Sequence, residues 1–454
     1  MKKLKLLSII LICLLFTACG PKKPVKPKVE KEEAEINDEL TELDEKSLEP
    51  DINFIEIKED IKMTDNIQKK KNIDYLLNPP YTDNDDINSK LSNLALTKDF
   101  NEQENYRFNI DIKYDKYLMP EEYFLITKEK ANIYENPSFQ SKVLGEASYF
   151  EKIKALNEVK GDAIGATNSN RWINLAWTDD NGTSHSGYMP ESEGALRRFR
   201  FDHMYNSILH LEEVLSNNEF AYISNYKDVN GSPPLINNKA LDQYGMQAYQ
   251  SAPAYGDLND LSNFRYFPDG MIVLILENAK DYYKVKALDY EGEYWIPKNY
   301  ISLDNNLDSL NKTVVVDVTN QNQGVFEKRN GKWTMISYGL ATTGARGERA
   351  YETPEGKFKV QEKKERFYYS DNKGKELAGY APYAVRFAQG AYIHGVPIDY
   401  VIKNGEKVDP GMKEYLFTIG TMPRSHKCVR NYTSSAKFIY EWADPNDTAI
   451  IVIK

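Results

Sequence analysis

From Tyr123 onward the chain runs in short apolar segments that are cut off by turn-forming residues before any of them reaches helical length. Phe124-Leu125-Ile126, Ala131-Asn132-Ile133-Tyr134 and Val143-Leu144-Gly145 are followed by Arg171-Trp172-Ile173-Asn174-Leu175-Ala176-Trp177, with breaks at Asn136-Pro137-Ser138 and Asn181-Gly182. These segments are rich in β-branched and aromatic residues, which fit a pleated, half-buried surface. A chain punctuated in this way is expected to be mainly β. Its 41% hydrophobic and 12% aromatic content suffices to fill cores of that kind.

At 454 residues the chain needs more than one core. Changes of texture divide it into a leader at 1–18, a charged linker at 19–60, and an Asn-, Asp- and Lys-rich stretch at 61–118 expected to be partly helical. A small β domain at 119–195 comes next, then a helical connector at 196–247 with its helix near His203 to Ser216. A fainter second β domain occupies 248–305, and a C-terminal domain 311–454. The formal net charge is −10, and residues 30–60 alone hold 14 acidic against 3 basic side chains. Nucleic acid is therefore not an expected partner, because phosphate binding needs a concentrated basic surface.

The leader has three lysines among its first five residues, a short apolar run from Leu6 to Phe16, and then Thr17-Ala18-Cys19-Gly20. That is the layout of a secretory signal, with an apolar run too short to span a bilayer comfortably. It resembles the lipobox of bacterial lipoproteins, which implies lipidation of Cys19 and a membrane-anchored protein facing the periplasm or wall. Pro21 to Lys28 then form an extended basic spacer, and the acidic stretch after it is a solvated tether. Of three cysteines, Cys13 and Cys19 lie in or at the end of the leader, so Cys428 is the one thiol left. A disulfide framework and a multi-thiolate metal site are both excluded.

Residues 119–195 open with Ala131-Asn132-Ile133-Tyr134, carry the Trp172 and Trp177 strand and close on Gly187-Tyr188-Met189-Pro190. In this they resemble a bacterial SH3-like domain. Ser251-Ala252-Pro253-Ala254-Tyr255, Tyr282-Tyr283-Lys284-Val285 and Tyr294-Trp295-Ile296-Pro297 form a fainter second copy. Trp172, Trp177, Tyr283 and Trp295 are expected in the cores of these modules more than on a ligand platform.

The C-terminal segment carries the chemistry. Strands are expected at Thr313–Val318, Gly324–Phe326, Lys332–Ile336 and Ala449–Ile453, with a helix at Ser434–Trp442. Between them stand Thr342-Thr343-Gly344, Thr353-Pro354-Glu355-Gly356, Tyr392-Ile393-His394-Gly395 and Ser425-His426-Lys427-Cys428-Val429-Arg430. A thiol becomes a nucleophile only as its thiolate, so Cys428 needs a base or positive field beside it, and His394 can supply one. His185, His203 and His210 have no such company and read as ordinary surface or core histidines.

In content and order these motifs resemble the L,D-transpeptidase catalytic domain, also called YkuD. The resemblance implies a twisted β-sandwich-like fold with a covering helix and the thiol at its cleft. It implies that His394 is general base to Cys428, with its other ring nitrogen oriented by the Gly395 backbone. Ser425 and His426 would shape the site, the backbone N–H groups of Lys427 and Cys428 would form an oxyanion hole, and Arg430 would hold a carboxylate. The partners implied are peptidoglycan stem peptides, and the reaction is cross-linking through a cysteine thioester with no metal or organic cofactor.

Two departures are visible. Lys427 stands where the family has Gly, so a left-handed backbone there carries strain. Twenty-nine residues separate Gly395 from Ser425, and Asn404-Gly405 and Asp409-Pro410-Gly411 mark the extra length as an inserted flap. Two alternatives remain open: an L,D-carboxypeptidase or cross-link hydrolase of the same fold, and a non-catalytic wall-binding lipoprotein.

Overall fold

A computed structural model describes residues 96–100, 106–165, 169–178, 183–236, 238–346, 351–370 and 376–454. The leader, Cys19, the linker to residue 60 and the Asn181-Gly182 turn lie outside the described residues, as does any helix in 61–95. The described chain is mainly β, with two α-helices, Phe201–Asn217 and Thr433–Trp442. Neither is long and apolar enough to cross a membrane.

The first sheet is antiparallel throughout. Its order is Val143–Ser148, Lys130–Tyr134, Ser184–Pro190, Ser169–Thr178, Lys152–Ile164, Glu122–Ile126 and Gly194–Arg198, with Leu96–Asp99 added on Lys152–Ile164. Alternation sorts its faces: Ile173 and Leu175 join Ile153, Ala155 and Met189 in one core, while Trp172 points the other way into a cluster with Val159, Ile164 and Tyr188. Trp172 is fully buried and its indole N–H donates to Asp162 O at 3.0 Å, so it is a core residue. His203 and His210 are exposed on the helix.

The second sheet, also antiparallel, runs Phe264–Pro268, Ser251–Tyr255, Tyr294–Pro297, Tyr282–Ala287, Ile272–Asn278, Phe220–Ile223 and Ile301–Ser302. Phe220–Ile223 belongs to it, so the stretch expected as a helical connector contributes a strand. The connector helix does more than connect. Its apolar stripe of Met204, Tyr205, Ile208 and Leu211 packs in one cluster with Val315, Phe326 and Ile451 of the C-terminal domain.

That domain is two sheets around a shared core. One has the order Asn109–Ile110, Lys332–Leu340, Asn322–Arg329, Lys312–Asp317, Thr448–Ile453 and Gly356–Lys359. The other joins Glu362–Ser370, Leu377–Ala388, Ala391–His394 and Val429–Arg430, with Ile398–Asp399 on Leu377–Ala388. Lys312–Asp317 and Thr448–Ile453 pair in parallel, and covered on both faces they read as continuous apolar runs. Val314, Val316, Ile450 and Val452 meet Val385, Ile393, Val429 and Ile439 in the common core. The second sheet shares this core through Val273, Val285 and Ile296.

The described part of 61–118 holds two short strands, Leu96–Asp99 and Asn109–Ile110, and a turn closed by Leu118 N–H on Asp115 O at 3.2 Å. Asn109–Ile110 adds an edge strand to the first of these sheets, and Tyr117 stacks on Tyr432 at 4.0 Å while its hydroxyl donates to the buried Glu414 at 2.7 Å. Ahead of the connector helix, Arg200 grips the fully buried Asp317 with two bonds of 2.7 and 2.9 Å, and Asp317 also accepts the Thr319 and Asn320 N–H groups. Replacing Asp317 with Ala orphans all these donors at once. The expected cost is about 3 kcal/mol, since breaking a buried pair from one side leaves an uncompensated charge. A lowered urea midpoint with unchanged slope would register it.

Candidate active site

Pairing brings the two motifs together. Ala391–His394 lies parallel to Val429–Arg430, with Ile393 beside Val429 and His394 beside Arg430. Side chains alternate along a strand, so His394, Arg430 and Cys428 share one face although 33 positions separate the thiol from the imidazole. All three line a cavity of about 360 Å³, together with Ser425 and His426. Phe367 and Tyr369 wall it from Glu362–Ser370, two strands away from His394 in the sheet, and Pro397, Asp399, Lys413 and Leu416 from the extra length after Gly395.

That extra length contains the expected turn. Val401–Lys403 and Glu406–Val408 form a hairpin whose Asn404 and Gly405 both have positive φ, 53° and 86°, as a tight two-residue turn demands. Val401 and Ile402 are exposed, so the two ends of the segment wall the cavity while the hairpin stands out in solvent.

His394 is buried, and its Nδ1 lies 2.6 Å from the Gly395 carbonyl. A carbonyl can only accept, so Nδ1 carries the proton and Nε2 is the basic nitrogen. Gly395 is held in turn by its own N–H on Pro382 O at 2.8 Å. A Cβ there would come within 2.9 Å of Pro382 and Thr433.

The Ser425–Cys428 turn is fixed from two sides. Ser425 N–H donates to Thr343 O at 3.1 Å, its hydroxyl donates to the Cys428 carbonyl, and Ala345 N–H donates to Ser425 O at 3.0 Å. Thr353 donates its hydroxyl to Lys427 O at 2.7 Å and accepts the Gly344 N–H at 2.8 Å. A Cβ on Gly344 would fall 2.7 Å from Lys427 N, so only glycine fits this approach. The Thr342-Thr343-Gly344 and Thr353 motifs thus act as clamps on the turn that carries the thiol.

Lys427 has φ +69°, the left-handed backbone that its position was expected to need. Its part in an oxyanion hole is corrected. The Lys427 N–H already donates to Tyr351 O at 2.9 Å, and a donor spent on a carbonyl behind the turn does not face the cleft. The Cys428 N–H makes no bond to a described backbone carbonyl. The Lys427 side chain also leaves the cleft, lining a second cavity behind the turn. Phe367, Tyr369 and Asp399 were not singled out from the sequence; the alternation that puts Phe367 and Tyr369 on one face was the available signal.

Burial sets the proton inventory. It pushes the Cys428 thiol up, against the opposing pull of the Tyr392 N–H and the Arg430 charge. Burial also pushes His394 down to about 3, helped by Arg430. In the resting protein both groups are therefore neutral near pH 7, with no preformed thiolate–imidazolium pair. Alkylation by iodoacetamide is expected to be at least about tenfold slower at pH 7 than for an unhindered thiol, and to keep rising beyond pH 9. A rate already at its plateau near neutrality would contradict this.

Arg430 is largely buried, and its Nε has no hydrogen-bond partner among the described residues. Such an orphaned donor beside a cleft suits a ligand carboxylate. Among the described residues no group of three or more His, Cys, Asp or Glu could hold a metal ion.

No curated protein matches the chain. Among solved structures it is similar to a fused zinc-dependent amidase/peptidase/peptidoglycan-binding domain-containing protein from Clostridium acetobutylicum, at 21% identity over 33% of this chain, with TM-score 0.21. The match spans 57% of that protein. It is also similar to an L,D-transpeptidase from Mycobacterium smegmatis, at 15% identity over 40% of this chain and 90% of that one, with TM-score 0.25. L,D-transpeptidase 3 from Mycobacterium tuberculosis, in complex with a faropenem-derived adduct, is 16% identical over 40% of this chain and 91% of its own, with TM-score 0.24. The family model of the L,D-transpeptidase catalytic domain, YkuD, matches residues 311–452. This C-terminal third of the chain, with the thiol and imidazole motifs in its cleft, belongs to the YkuD family of L,D-transpeptidase catalytic domains.

Proposed function

We propose that the chain is a cell-envelope L,D-transpeptidase that acylates Cys428 with a peptidoglycan stem peptide and transfers the acyl group to the amine of a second stem. The observation that carries this reading is the shared face of His394, Cys428 and Arg430 at one cavity. Because thiol and imidazole both start neutral, the proton passes from Sγ to His394 Nε2 as sulfur bonds to the carbonyl carbon. The imidazolium then gives that proton to the leaving D-Ala amine as the peptide bond breaks, leaving a thioester. The acceptor amine attacks the thioester carbonyl, the thiolate leaves, and His394 relays the acceptor's proton back to sulfur.

The Cys428 N–H is the backbone donor for the developing oxyanion, and Arg430 orients a substrate carboxylate. The lipobox-like Thr17-Ala18-Cys19-Gly20 supports a lipid anchor at Cys19. The strand motifs of 119–195 and 248–305 support two SH3-like modules carried with the enzyme. Incubating the lipid-free chain with a stem tetrapeptide and separating the products tests the reading. Cross-linked dimer with free D-Ala is expected. Shortened peptide alone would make the enzyme a carboxypeptidase, and unchanged peptide would leave a binding role.

A further inference from the structure

Behind the Ser425–Cys428 turn lies a second cavity, about 410 Å³, walled by the second sheet and the catalytic domain together. Lys427 faces it while the next residue, Cys428, faces the catalytic cleft. The acids around it are engaged or peripheral. Asp289 pairs with Lys357 at 2.5 Å, Glu355 with Lys454 at 3.4 Å and Glu352 with Arg346 at 3.8 Å, and Glu291 is exposed at the rim.

The two buried cations have no acid of their own among the described residues. Arg265 is 8% exposed, with its guanidinium carbon 3.9 Å from the Tyr244 ring centroid and 3.7 Å from that of Tyr290. Two rings cover its faces, so only the N–H edge remains for a polar partner, and Nε has none. Lys427, also 8% exposed, donates one bond, to Gln389 Oε1 at 3.2 Å, and its ammonium has two donors to spare. Buried charges are ordinarily paired. An unpaired guanidinium and a buried amine at one open, tyrosine-walled cavity form the half of a salt bridge that a ligand completes.

We infer that this cavity is a second binding site, for the carboxylate terminus of a short peptide, in which Arg265 and Lys427 grip the carboxylate and Tyr244, Tyr290 and Tyr351 flank the peptide body. The volume falls within the range of small-ligand pockets. Burial lowers Lys427 to about 7, so the arriving carboxylate restores a charge that the empty site suppresses. Catalysis at Cys428 is not needed for any of this, and binding can be read without turnover.

The test is calorimetric titration of the full chain with N-acetyl-D-alanyl-D-alanine and with its C-terminal amide. The free carboxylate is expected to bind saturably and the amide at least about tenfold more weakly, the loss typical of one charge-assisted bond. Arg265→Gln is expected to weaken the acid at least tenfold, and Lys427→Gln severalfold. Arg430→Gln, in the other cleft, should leave the Arg265-dependent binding event within twofold. Should Arg265→Gln not fold, Lys427→Gln and a photo-crosslinking form of the peptide decide, with labelling expected on Tyr244–Gln247 or Thr353–Glu355. Equal binding of the amide would overturn the proposal. So would loss of binding in Arg430→Gln alone, or displacement of the peptide by inorganic phosphate at equal concentration.

Discussion

Cys428→Ala is expected to release no D-Ala from a stem tetrapeptide above background, a loss on the order of 10⁶-fold typical of removing the nucleophile from a catalytic constellation. Folding should survive, because the change trims one sulfur from a small cluster with Phe367, Ala381, Ala384 and Tyr392. A cavity of that size costs on the order of 1 kcal/mol. A thermal midpoint lowered by only a few degrees, with release abolished, separates chemistry from stability. Release at even a hundredth of the wild-type rate would mean that another group attacks the substrate.

His394→Gln should lower the acylation rate by about 10²–10⁴-fold, the range for a positioned general base. The same variant is expected to leave iodoacetamide alkylation within about twofold, because burial and Arg430, not an imidazolium partner, set the thiol's acidity in the resting state. This split distinguishes a base that acts during the reaction from one that ionises the thiol beforehand. If alkylation and acylation fell together, a resting ion pair would have to be reinstated. A pH consequence follows for stability as well. The unfolded His394 takes up a proton below about 6.5, whereas the folded one, held down to about 3, does not. Its share of stability is therefore present above pH 6.5 and drains away as the pH falls toward 3.

The parts of this fold that were legible in the sequence are those with a local signature. Lys312–Asp317 and Thr448–Ile453 are continuous apolar runs because both faces are covered, and their types follow from that alone. His394-Gly395 and Ser425 to Arg430 stood out because a lone thiol among histidine motifs has few structural uses, and the absent glycine at 427 foretold the positive φ found there. What escaped depends on tertiary context. Asn109–Ile110 is a two-residue strand with no period to detect, and Phe220–Ile223 looks like the end of a connector until its partners are known. The commitment of the Lys427 N–H to Tyr351 comes from a segment 76 positions away, which no spacing rule reaches. Asp399 and Tyr369, bonded to each other at 2.8 Å, likewise enter the cleft wall from strands that the motifs do not name.

Strain at Lys427 ties the two cavities to one residue. Its backbone holds the turn that presents Cys428, and its side chain turns away into the tyrosine-walled space behind. Glycine there would relax the backbone at the cost of the side chain that reaches the second cavity.

In the proposed reaction Cys428 becomes the acyl carrier, and a rapid acid quench followed by intact-mass measurement of the lipid-free chain with a stem tetrapeptide examines that directly. The predicted result is a single adduct equal to the tetrapeptide less D-Ala, located on Cys428 by digestion and removed by hydroxylamine. An adduct that survives Cys428→Ala, or turnover of the peptide with no adduct on the wild-type thiol at any quench time, would contradict it.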